Sequence, residues 1–138
     1  MSTALVYGLA LSGDALADQL VGRGWSVLVA DDSGTEAKRA RARELGATLV
    51  EAPDEDTIAT LVREADIVCP APGVPETHAV VGAAMAAGTP LRTEIDLAYV
   101  WEQERPAGPR PMLAVTGTDG KTTTTMLAAH MLAAAGHQ

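Results

Sequence analysis

Short apolar runs alternate with helical patterns along most of this sequence, and no other feature constrains its fold as strongly. In chain order, the alternation predicts strands at 4–8, 26–30, 48–50, 66–69 and near Leu91, with helices at 36–45, 56–64 and 77–87 and a first helix carrying Leu16, Leu20 and Val21. Strands that alternate with helices form parallel sheets with helices packed on both faces. We therefore predict an α/β fold class with a Rossmann-like, doubly wound parallel sheet of five strands.

A proline-rich segment at 105–111 divides the chain. The preceding pattern predicts one more helix at 94–104, and three prolines and one glycine within the next seven residues interrupt all periodicity. Such a segment is typical of an exposed and fairly stiff linker. We therefore predict a first domain at 1–104, a linker at 105–111 and the beginning of a second domain, incomplete in this chain, at 112–138.

A glycine- and threonine-rich loop follows the linker and has the pattern of a phosphate-binding loop. An apolar run at 112–115 predicts a strand that enters this loop, and a helix is predicted to begin near Thr122. Gly117 and Gly120 leave backbone N–H groups free to converge on an anion, next to the positive end of the helix dipole. The Lys121 ammonium reaches the same phosphate, and the Thr122 hydroxyl is placed to bind Mg²⁺. The loop therefore predicts a nucleoside triphosphate ligand.

One position departs from the G-x-x-x-x-G-K-[ST] pattern of these loops. Val115 stands where the pattern has its first glycine, so the loop is a variant form. The alternative is an ordinary strand-to-helix turn with a surface lysine. The order of strand, glycines, lysine, threonine and helix disfavours that alternative.

The first turn carries a second nucleotide-binding pattern. Gly8 and Gly13 have the spacing of the outer glycines of the G-x-G-x-x-G fingerprint, with Ala10 in the middle position, and Asp31 ends the second strand. Ala10 disfavours the usual docking of NAD, whereas Asp31 is well placed to accept a hydrogen bond from a ribose or a base. Two alternatives stay open: the glycines serve close packing of strand and helix, or Asp31 and Asp32 cap the next helix.

Two further segments lie near the same edge of the predicted sheet. The basic run comprises Lys38, Arg39, Arg41 and Arg43. Because its spacing places the side chains on more than one side of the helix, we interpret it as a solvated face rather than a phosphate site. The segment at 71–75 leaves the fourth strand, and its two prolines and one glycine fix a rigid edge against which a flat base can lie. A plain loop is the alternative for this second segment.

Composition and charge narrow the partners and the compartment. The chain has 138 residues, 47% of them hydrophobic, which suits one complete core. Its net charge of −8 disfavours nucleic acid and anionic membranes as partners. The single Cys69 excludes an intramolecular disulfide, and no apolar run is long enough to cross a membrane. We therefore predict a soluble, cytoplasmic protein in which Cys69 is a small buried residue.

Taken together, four segments resemble the Mur ligase family of peptidoglycan synthesis. They are the first turn with Ser12 and Gly13, the pair Asp31 and Asp32, the segment at 72–75 and the loop at 116–123. The resemblance implies that the first domain binds a UDP-linked substrate and that the second binds ATP. The residues it implies for the UDP-substrate site are Leu11, Ser12, Asp31, Asp32 and Gly73, and those for the ATP site are Gly117, Thr118, Asp119, Gly120, Lys121, Thr122 and Thr123.

The activity that the resemblance implies is ATP-dependent amide formation, the reaction of a carbon–nitrogen ligase. In the D-glutamate-adding branch, which this chain resembles most, the carboxylate of UDP-N-acetylmuramoyl-L-alanine attacks the γ-phosphoryl group of ATP. The amine of D-glutamate then captures the acyl phosphate. The resemblance makes Lys121 the catalytic residue that stabilises phosphate charge and Thr122 the ligand of Mg²⁺. It further implies a role in cell shape and cell division through the cell wall.

The resemblance also has departures and gaps. Asp119 stands where the family usually has asparagine, and Ala71 where serine is common. The family's further metal ligands, modified lysine and amino-acid-binding domain have no counterpart in these residues, so we expect the chain alone to be inactive. We expect its apolar segment at 112–138 to promote self-association. Two other functions stay open: an NAD(P)-binding Rossmann sensing module and a non-catalytic interaction domain.

Overall fold

The computed structural model describes residues 1–136, and these residues divide into two units. The first unit is Met1–Gln103, and the second begins at Glu104. The predicted segment at 112–138 therefore reaches two residues beyond the described part of the chain. The functional labels given above to the two domains stay predictions.

The first unit is built on a parallel sheet of four strands. These are β1 (Thr3–Tyr7), β2 (Ser26–Asp31), β3 (Leu49–Glu51) and β4 (Ile67–Pro70), in the spatial order β3-β2-β1-β4. β1 lies between two neighbours, with Leu5 opposite both Leu28 and Val68. The predicted α/β class and Rossmann-like parallel sheet are confirmed, because these strands follow the predicted apolar runs closely.

The predicted fifth strand near Leu91 is wrong. Leu91 forms only an isolated parallel bridge with Val68. Pairing ends there because the chain turns at once into a helix. The Asp96 carboxylate accepts from the Thr93 N–H at 2.9 Å, and the Thr93 hydroxyl accepts from the Asp96 N–H at 3.2 Å. This reciprocal capping starts the helix before a strand can extend.

The helices of the first unit are α1 (Leu11–Gly22), α2 (Glu36–Glu44), α3 (Glu55–Glu64), α4 (Ala79–Ala87) and α5 (Glu94–Gln103). Polar side chains set where two of them begin. The Thr35 hydroxyl caps α2 by accepting from the Lys38 N–H, and the Asp54 carboxylate caps α3 in the same way. Neither Asp31 nor Asp32 is therefore the N-cap of α2, which answers one alternative left open by the sequence.

Alternate residues of β1 face two separate cores. Ala4 and Val6 pack with apolar residues of α1, α2 and α5, whereas Leu5 and Tyr7 pack with those of α3 and α4. Helices therefore cover both faces of the sheet. Burial of a large side chain such as that of Leu5 contributes about 1.5–3 kcal/mol. Cys69 is fully buried in the first core, where burial raises the pKa of its thiol to about 12, as expected for a small buried residue.

The strand order reverses beside β1. The chain passes from β1 through α1 to β2 on one side, and it reaches β4 on the other side only later. The connections after β1 and β4 consequently lead to helices on opposite faces. In open α/β sheets, ligands bind in the crevice at the carboxyl ends of the strands where the order reverses.

In the second unit, the structure has helix α6 (Lys121–Ala134) but no strand within residues 104–136. The predicted strand at 112–115 is therefore wrong. A strand needs a neighbour to pair its backbone groups, and the described residues of this unit supply none. α6 begins at the predicted loop, and none of its residues is buried. Among the helices of the described residues, none combines the length and the apolar character needed to cross a bilayer.

Candidate functional site

Three loops meet at the carboxyl edge of the sheet. They follow β1, β2 and β4, and hydrogen bonds join them directly. The Leu9 N–H donates to Asp31 Oδ2 at 2.7 Å, which ties the first loop to the end of β2. The Ala71 N–H donates to Tyr7 O at 2.8 Å, which ties the third loop to the end of β1. The residues predicted for the UDP site therefore lie along one edge, around the reversal of strand order.

Gly8 and Gly13 permit the close approach of the first loop and α1. Gly8 has a φ of +93°, which residues with a Cβ rarely adopt. A Cβ on Gly13 would lie 1.9 Å from the Gly8 carbonyl oxygen, far inside van der Waals contact. The close-packing role that the sequence left open for these glycines is therefore present. Their contribution to nucleotide binding stays a prediction.

The amino end of α1 presents backbone donors at this edge. Ala10 is the N-cap and contributes no side-chain hydrogen bond, and the Asp14 N–H donates to Ala10 O at 2.8 Å. The preceding N–H groups, those of Leu11, Ser12 and Gly13, have no intrahelical acceptor. Such a helix end attracts anions through these donors and through the helix dipole. The amino end of α1 therefore suits a phosphate group.

Asp31 is a buried carboxylate that joins the first two loops. Its side chain is 9% exposed. The groups that donate hydrogen bonds to it are the Leu9 N–H, the Ser33 N–H and hydroxyl, and the Lys38 ammonium. Burial by itself would raise the pKa of Asp31, but these hydrogen bonds, first that from Lys38, outweigh burial and lower the pKa below its ordinary value. Few acceptor positions on Asp31 are left for a ligand.

The basic run on α2 is less solvated than its spacing predicts. Lys38 donates to Asp31 at 2.7 Å, and Arg41 joins α2 to α1 by donating to Asp14 and, at 2.6 Å, to Asp18. The interpretation as a solvated face is therefore wrong for Lys38 and Arg41. Helical spacing alone does not reveal the acidic partners that the fold brings from β2 and α1.

A hollow of about 310 Å³ lies between the first loop and α2. Backbone and side chains of residues 9–11 form one wall, and Lys38 and Arg41 contribute to the other. Both of these cations are already paired with carboxylates, so the charge of the wall is balanced. The hollow can accept a flat, partly polar group such as a nucleoside, next to the N–H groups of α1.

Asp32 differs from Asp31 in its exposure and its partners. Its side chain is 65% exposed, and Oδ1 accepts a hydrogen bond of 2.6 Å from the Tyr7 hydroxyl. His78 Nε2 lies 3.3 Å from Oδ2. Burial, and then the hydrogen bond to Asp32, raise the pKa of Tyr7 well above its ordinary value, so the phenol stays a neutral donor. Asp32 therefore keeps acceptor positions open to solvent while two side chains hold it.

Gly73 lies on the exposed turn after β4. The Val74 N–H donates to Ala71 O at 2.8 Å and closes this turn. Nothing lies within 4 Å of a Cβ placed on Gly73, so its backbone is open to approach. A hollow of about 360 Å³ borders the turn, with Pro72 in its lining. The rigid edge predicted for this segment is thus accessible from solvent.

In the second unit, the loop before α6 has a backbone form that glycine permits. Gly117 and Gly120 have φ values of +143° and +76°, and Gly120 is the N-cap of α6 without a side-chain hydrogen bond. The Lys121 ammonium folds back onto the loop and donates to the Gly117 and Thr118 carbonyls at 2.5 and 3.4 Å. The first N–H groups of α6 have no intrahelical acceptor. Loop, lysine and helix end can together surround an anion.

Thr122, which the sequence predicts as a ligand of Mg²⁺, lies in the first turn of α6. Within residues 1–136, no three His, Cys, Asp or Glu side chains are grouped so that they could hold a metal ion. The Thr122 hydroxyl, in the first turn of α6, is a suitable ligand for a hard cation. It fits Mg²⁺ together with phosphate oxygens and water, since Mg²⁺ commonly takes few protein ligands. Thr122 as a metal ligand stays a prediction.

Sequence reasoning missed three residues of the carboxyl edge: Tyr7, Lys38 and His78. Tyr7 has the pattern of a buried strand residue and Lys38 that of a helix surface, so neither carries a local signal. His78 precedes the apolar run of α4, a position typical of an N-cap, and its Nδ1 does accept from the Val80 N–H at 3.2 Å. These three residues lie on separate elements, and only contacts between those elements bring them to the same edge.

The parallel sheet and the polar loops at its carboxyl edge together define the class of this protein. It is a Rossmann-like α/β protein. A solved structure agrees with this class. The UDP-N-acetylmuramate:L-alanyl-gamma-D-glutamyl-meso-diaminopimelate ligase from Neisseria meningitides superposes with a TM-score of 0.61. The match covers 99% of this chain and 40% of that ligase at 24% identity, and it shows the fold.

Sequence comparison is more specific. The UDP-N-acetylmuramoylalanine–D-glutamate ligase of Desulfatibacillum aliphaticivorans is 39% identical over 135 residues, covering 96% of this chain and 28% of that ligase. The ligase of the same name from Streptomyces coelicolor is 40% identical over 134 residues, covering 95% of this chain and 28% of that ligase. No family model matches the sequence. The chain is homologous to the N-terminal region of these ligases, and the predicted resemblance to the Mur ligase family is confirmed.

Proposed function

We propose that this chain is the N-terminal part of an ATP-dependent ligase that adds D-glutamate to UDP-N-acetylmuramoyl-L-alanine in peptidoglycan synthesis. The observation that carries the proposal is an identity of 39% and 40%, over 96% and 95% of this chain, to two ligases of that name. The chain spans about 28% of the length of these relatives, so ligation as a whole belongs to the proposal. We expect these residues alone to be inactive. A cytoplasmic location belongs to the same proposal.

In this proposal, the first unit binds the UDP moiety at the carboxyl edge of the sheet. The backbone N–H groups of Leu11 and Ser12 suit the diphosphate, as does the open backbone at Gly73. The uridine then reaches the end of β2. There Asp31 fixes the loop, and Asp32 accepts hydrogen bonds from donor groups of the ligand.

The second unit provides the proposed ATP loop. Bound ATP supplies the phosphoryl group that activates the substrate carboxylate. The Lys121 ammonium, which lies over the loop, stabilises charge on that group, and the Thr122 hydroxyl helps to hold Mg²⁺. Asp119 adds a carboxylate near the triphosphate, which weakens binding unless the side chain is turned outward or faces Mg²⁺.

An NAD(P)-binding Rossmann module is the second candidate function. The observation that favours it is the carboxylate of Asp31 at the end of β2, which accepts a hydrogen bond from the Leu9 N–H in the turn between Gly8 and Gly13. Ala10 in the middle of that turn disfavours a pyrophosphate lying on the backbone. Asp31 also already accepts hydrogen bonds from protein groups, which leaves little room for a ribose. A non-catalytic interaction domain is the third candidate, and it gives the phosphate-binding loop no role.

Calorimetric titration of the 138-residue chain with UDP, NADH and Mg·ATP separates these functions. We expect UDP to bind, NADH not to bind, and Mg·ATP to bind far more weakly than to an intact enzyme. Uridine is the control ligand, because without the diphosphate it makes no contact with the amino end of α1. Binding of NADH in preference to UDP would replace the proposed function with the redox-linked one. Binding of none of the three ligands would favour an interaction domain.

A further inference from the structure

We propose that Tyr7 and His78 are positioning residues, which hold the Asp32 carboxylate in place to accept hydrogen bonds from the nucleoside part of a bound nucleotide. This inference rests on the proposed binding of UDP at the carboxyl edge. The three residues come from three places in the fold, since Tyr7 ends β1, Asp32 follows β2 and His78 precedes α4. We call them the Tyr7 cluster.

Asp32 is the carboxylate of this edge that a ligand can reach. Each of its oxygens has one protein partner, at 2.6 Å for Oδ1 and 3.3 Å for Oδ2, and each has a further lone pair. Its side chain is 65% exposed, whereas that of Asp31 is 9% exposed and already accepts several hydrogen bonds. Donor groups of a nucleoside, whether ribose hydroxyls or a base N–H, therefore find their acceptor in Asp32.

Tyr7 supplies a donor in a fixed position. Only 1% of the residue is exposed, and its ring lies in the core formed with α3 and α4. The phenol has one hydrogen to donate, and it donates it to Asp32. Because the core holds the ring and the ring holds the carboxylate, Asp32 keeps one orientation despite its exposure.

His78 lies against the same carboxylate, with Nε2 3.3 Å from Asp32 Oδ2. Its Nδ1 accepts a hydrogen bond from the Val80 N–H and thereby caps α4. With Nδ1 engaged as an acceptor, Nε2 is the ring nitrogen that faces Asp32 Oδ2. The ring also packs on Tyr7, with ring centroids 4.7 Å apart. His78 therefore links the loop after β2 to the start of α4.

Preorganisation is the physical gain from the Tyr7 cluster. A free carboxylate on an exposed loop loses rotamer freedom when it binds a ligand, and this loss weakens binding. The cluster removes that freedom before the ligand arrives. Loss of the Tyr7 donor or of the His78 contact should therefore weaken binding of the nucleoside and leave the diphosphate contacts at α1 unchanged.

Calorimetry with UDP and with inorganic pyrophosphate tests this role. Tyr7→Phe removes only the hydroxyl, and His78→Asn keeps an N-cap acceptor for α4 but does not reach Asp32. We expect Tyr7→Phe to bind UDP about tenfold more weakly, as for the loss of one hydrogen bond to a charged group, and His78→Asn to bind UDP more weakly as well. Both should bind pyrophosphate like the unmodified chain. Tyr99→Phe, at an exposed tyrosine of α5, is the matched control and should change neither affinity.

A double-mutant cycle and two analogues sharpen the test. In an Asp32→Asn background, Tyr7→Phe should cause no further loss of UDP affinity, because the hydroxyl acts through that carboxylate. N3-methyl-UDP lacks the base N–H, and 2′,3′-dideoxy-UDP lacks the ribose hydroxyls. We expect one of these analogues to bind the unmodified chain more weakly than UDP does and to be insensitive to Tyr7→Phe.

Unchanged UDP affinity in both Tyr7→Phe and His78→Asn would overturn the positioning role. An equal loss of pyrophosphate affinity, or undiminished binding of both analogues, would overturn it as well. An unmodified chain that binds no UDP would contradict the proposed function itself, and the positioning role with it. Binding of UDP by the unmodified chain therefore separates the two failures.

Discussion

At the scale of single residues, the absence of a side chain at Gly13 and the carboxylate of Asp31 shape the first turn of the candidate site. Because Gly13 has no side chain, α1 can approach the Gly8 carbonyl. The Asp31 carboxylate accepts a hydrogen bond of 2.7 Å from the N–H of Leu9, which follows Gly8 in the same turn. Neither feature requires a ligand. The turn is therefore preorganised by the fold, and we expect residues at both positions to contribute to stability.

We expect Gly13→Ala to lower the free energy of unfolding by roughly 1–3 kcal/mol, because its Cβ overlaps a backbone oxygen in a packed region. Urea denaturation measures this loss. Gly22→Ala is the matched control, since Gly22 also lies in α1 and nothing lies within 4 Å of its added Cβ. Equal stability of the two variants would show that α1 can move away from the first loop at little cost.

The lowered pKa of Asp31 makes stability depend on pH in a defined direction. Its folded-state pKa lies below the ordinary value of 3.8, so the ionised form stabilises the fold fully above that pH. This contribution is lost as the pH falls through the folded-state pKa. We expect Asp31→Asn to cost roughly 1–3 kcal/mol at pH 7 and progressively less below about pH 4. Urea denaturation at pH 7 and pH 3 tests it, and a cost independent of pH would contradict the ion-paired role of Asp31.

Local signals predict some residues of the site and not others. Gly8, Gly13 and Asp31 stand at positions where a strand meets a helix, so their spacing alone marks them. Tyr7 and His78 carry ordinary strand and cap signals, and what they do follows from their contact with Asp32. Such a contact joins three elements that are distant in sequence, and spacing within one element does not contain it.

At the scale of elements, the sequence predicts the parallel sheet well because its strands are short, apolar and separated by helices. The two wrong strands, near Leu91 and at 112–115, have no sustained pairing partner among the described residues. A strand is a property of two segments, so an apolar run alone does not establish one. The ion pairs that Arg41 makes between α2 and α1 were missed for a similar reason.

The loop before α6 carries the prediction for catalysis. In a full-length ligase that contains this segment, we expect Lys121→Ala to lower kcat by about 10²- to 10³-fold, the loss typical of one group that stabilises transition-state charge. Binding of the UDP substrate should stay unchanged, because the proposed UDP site lies in the first unit. Steady-state kinetics and calorimetry measure the two effects. Thr124→Ala, in the same helix, is the control, and an equal loss of UDP affinity in Lys121→Ala would assign the loop to the sugar nucleotide.

At the scale of the whole molecule, the chain combines a first unit with two cores and a second unit whose helix buries no residue. The exposed apolar side chains of the second unit, Leu113, Leu127 and Met131 among them, are the basis for the predicted self-association, which stays a prediction. The two relatives at 39% and 40% identity are much longer than this chain, which spans 28% of the length of each. In the proposed function, the first unit therefore binds the UDP substrate, and phosphoryl transfer from ATP requires the longer protein.

The most direct test of the central claim is a residue-resolved NMR titration of the 138-residue chain with UDP. Binding at the carboxyl edge should shift the backbone amide signals of Ser12, Asp32 and Gly73 together, with one common dissociation constant. The amide signals of Arg63 and Glu64, at the end of α3 and next to the amino end of β4, serve as the internal control and should stay in place. If saturating UDP leaves all three signals unmoved while NADH shifts them, the UDP-binding account is contradicted and the dinucleotide-binding alternative replaces it.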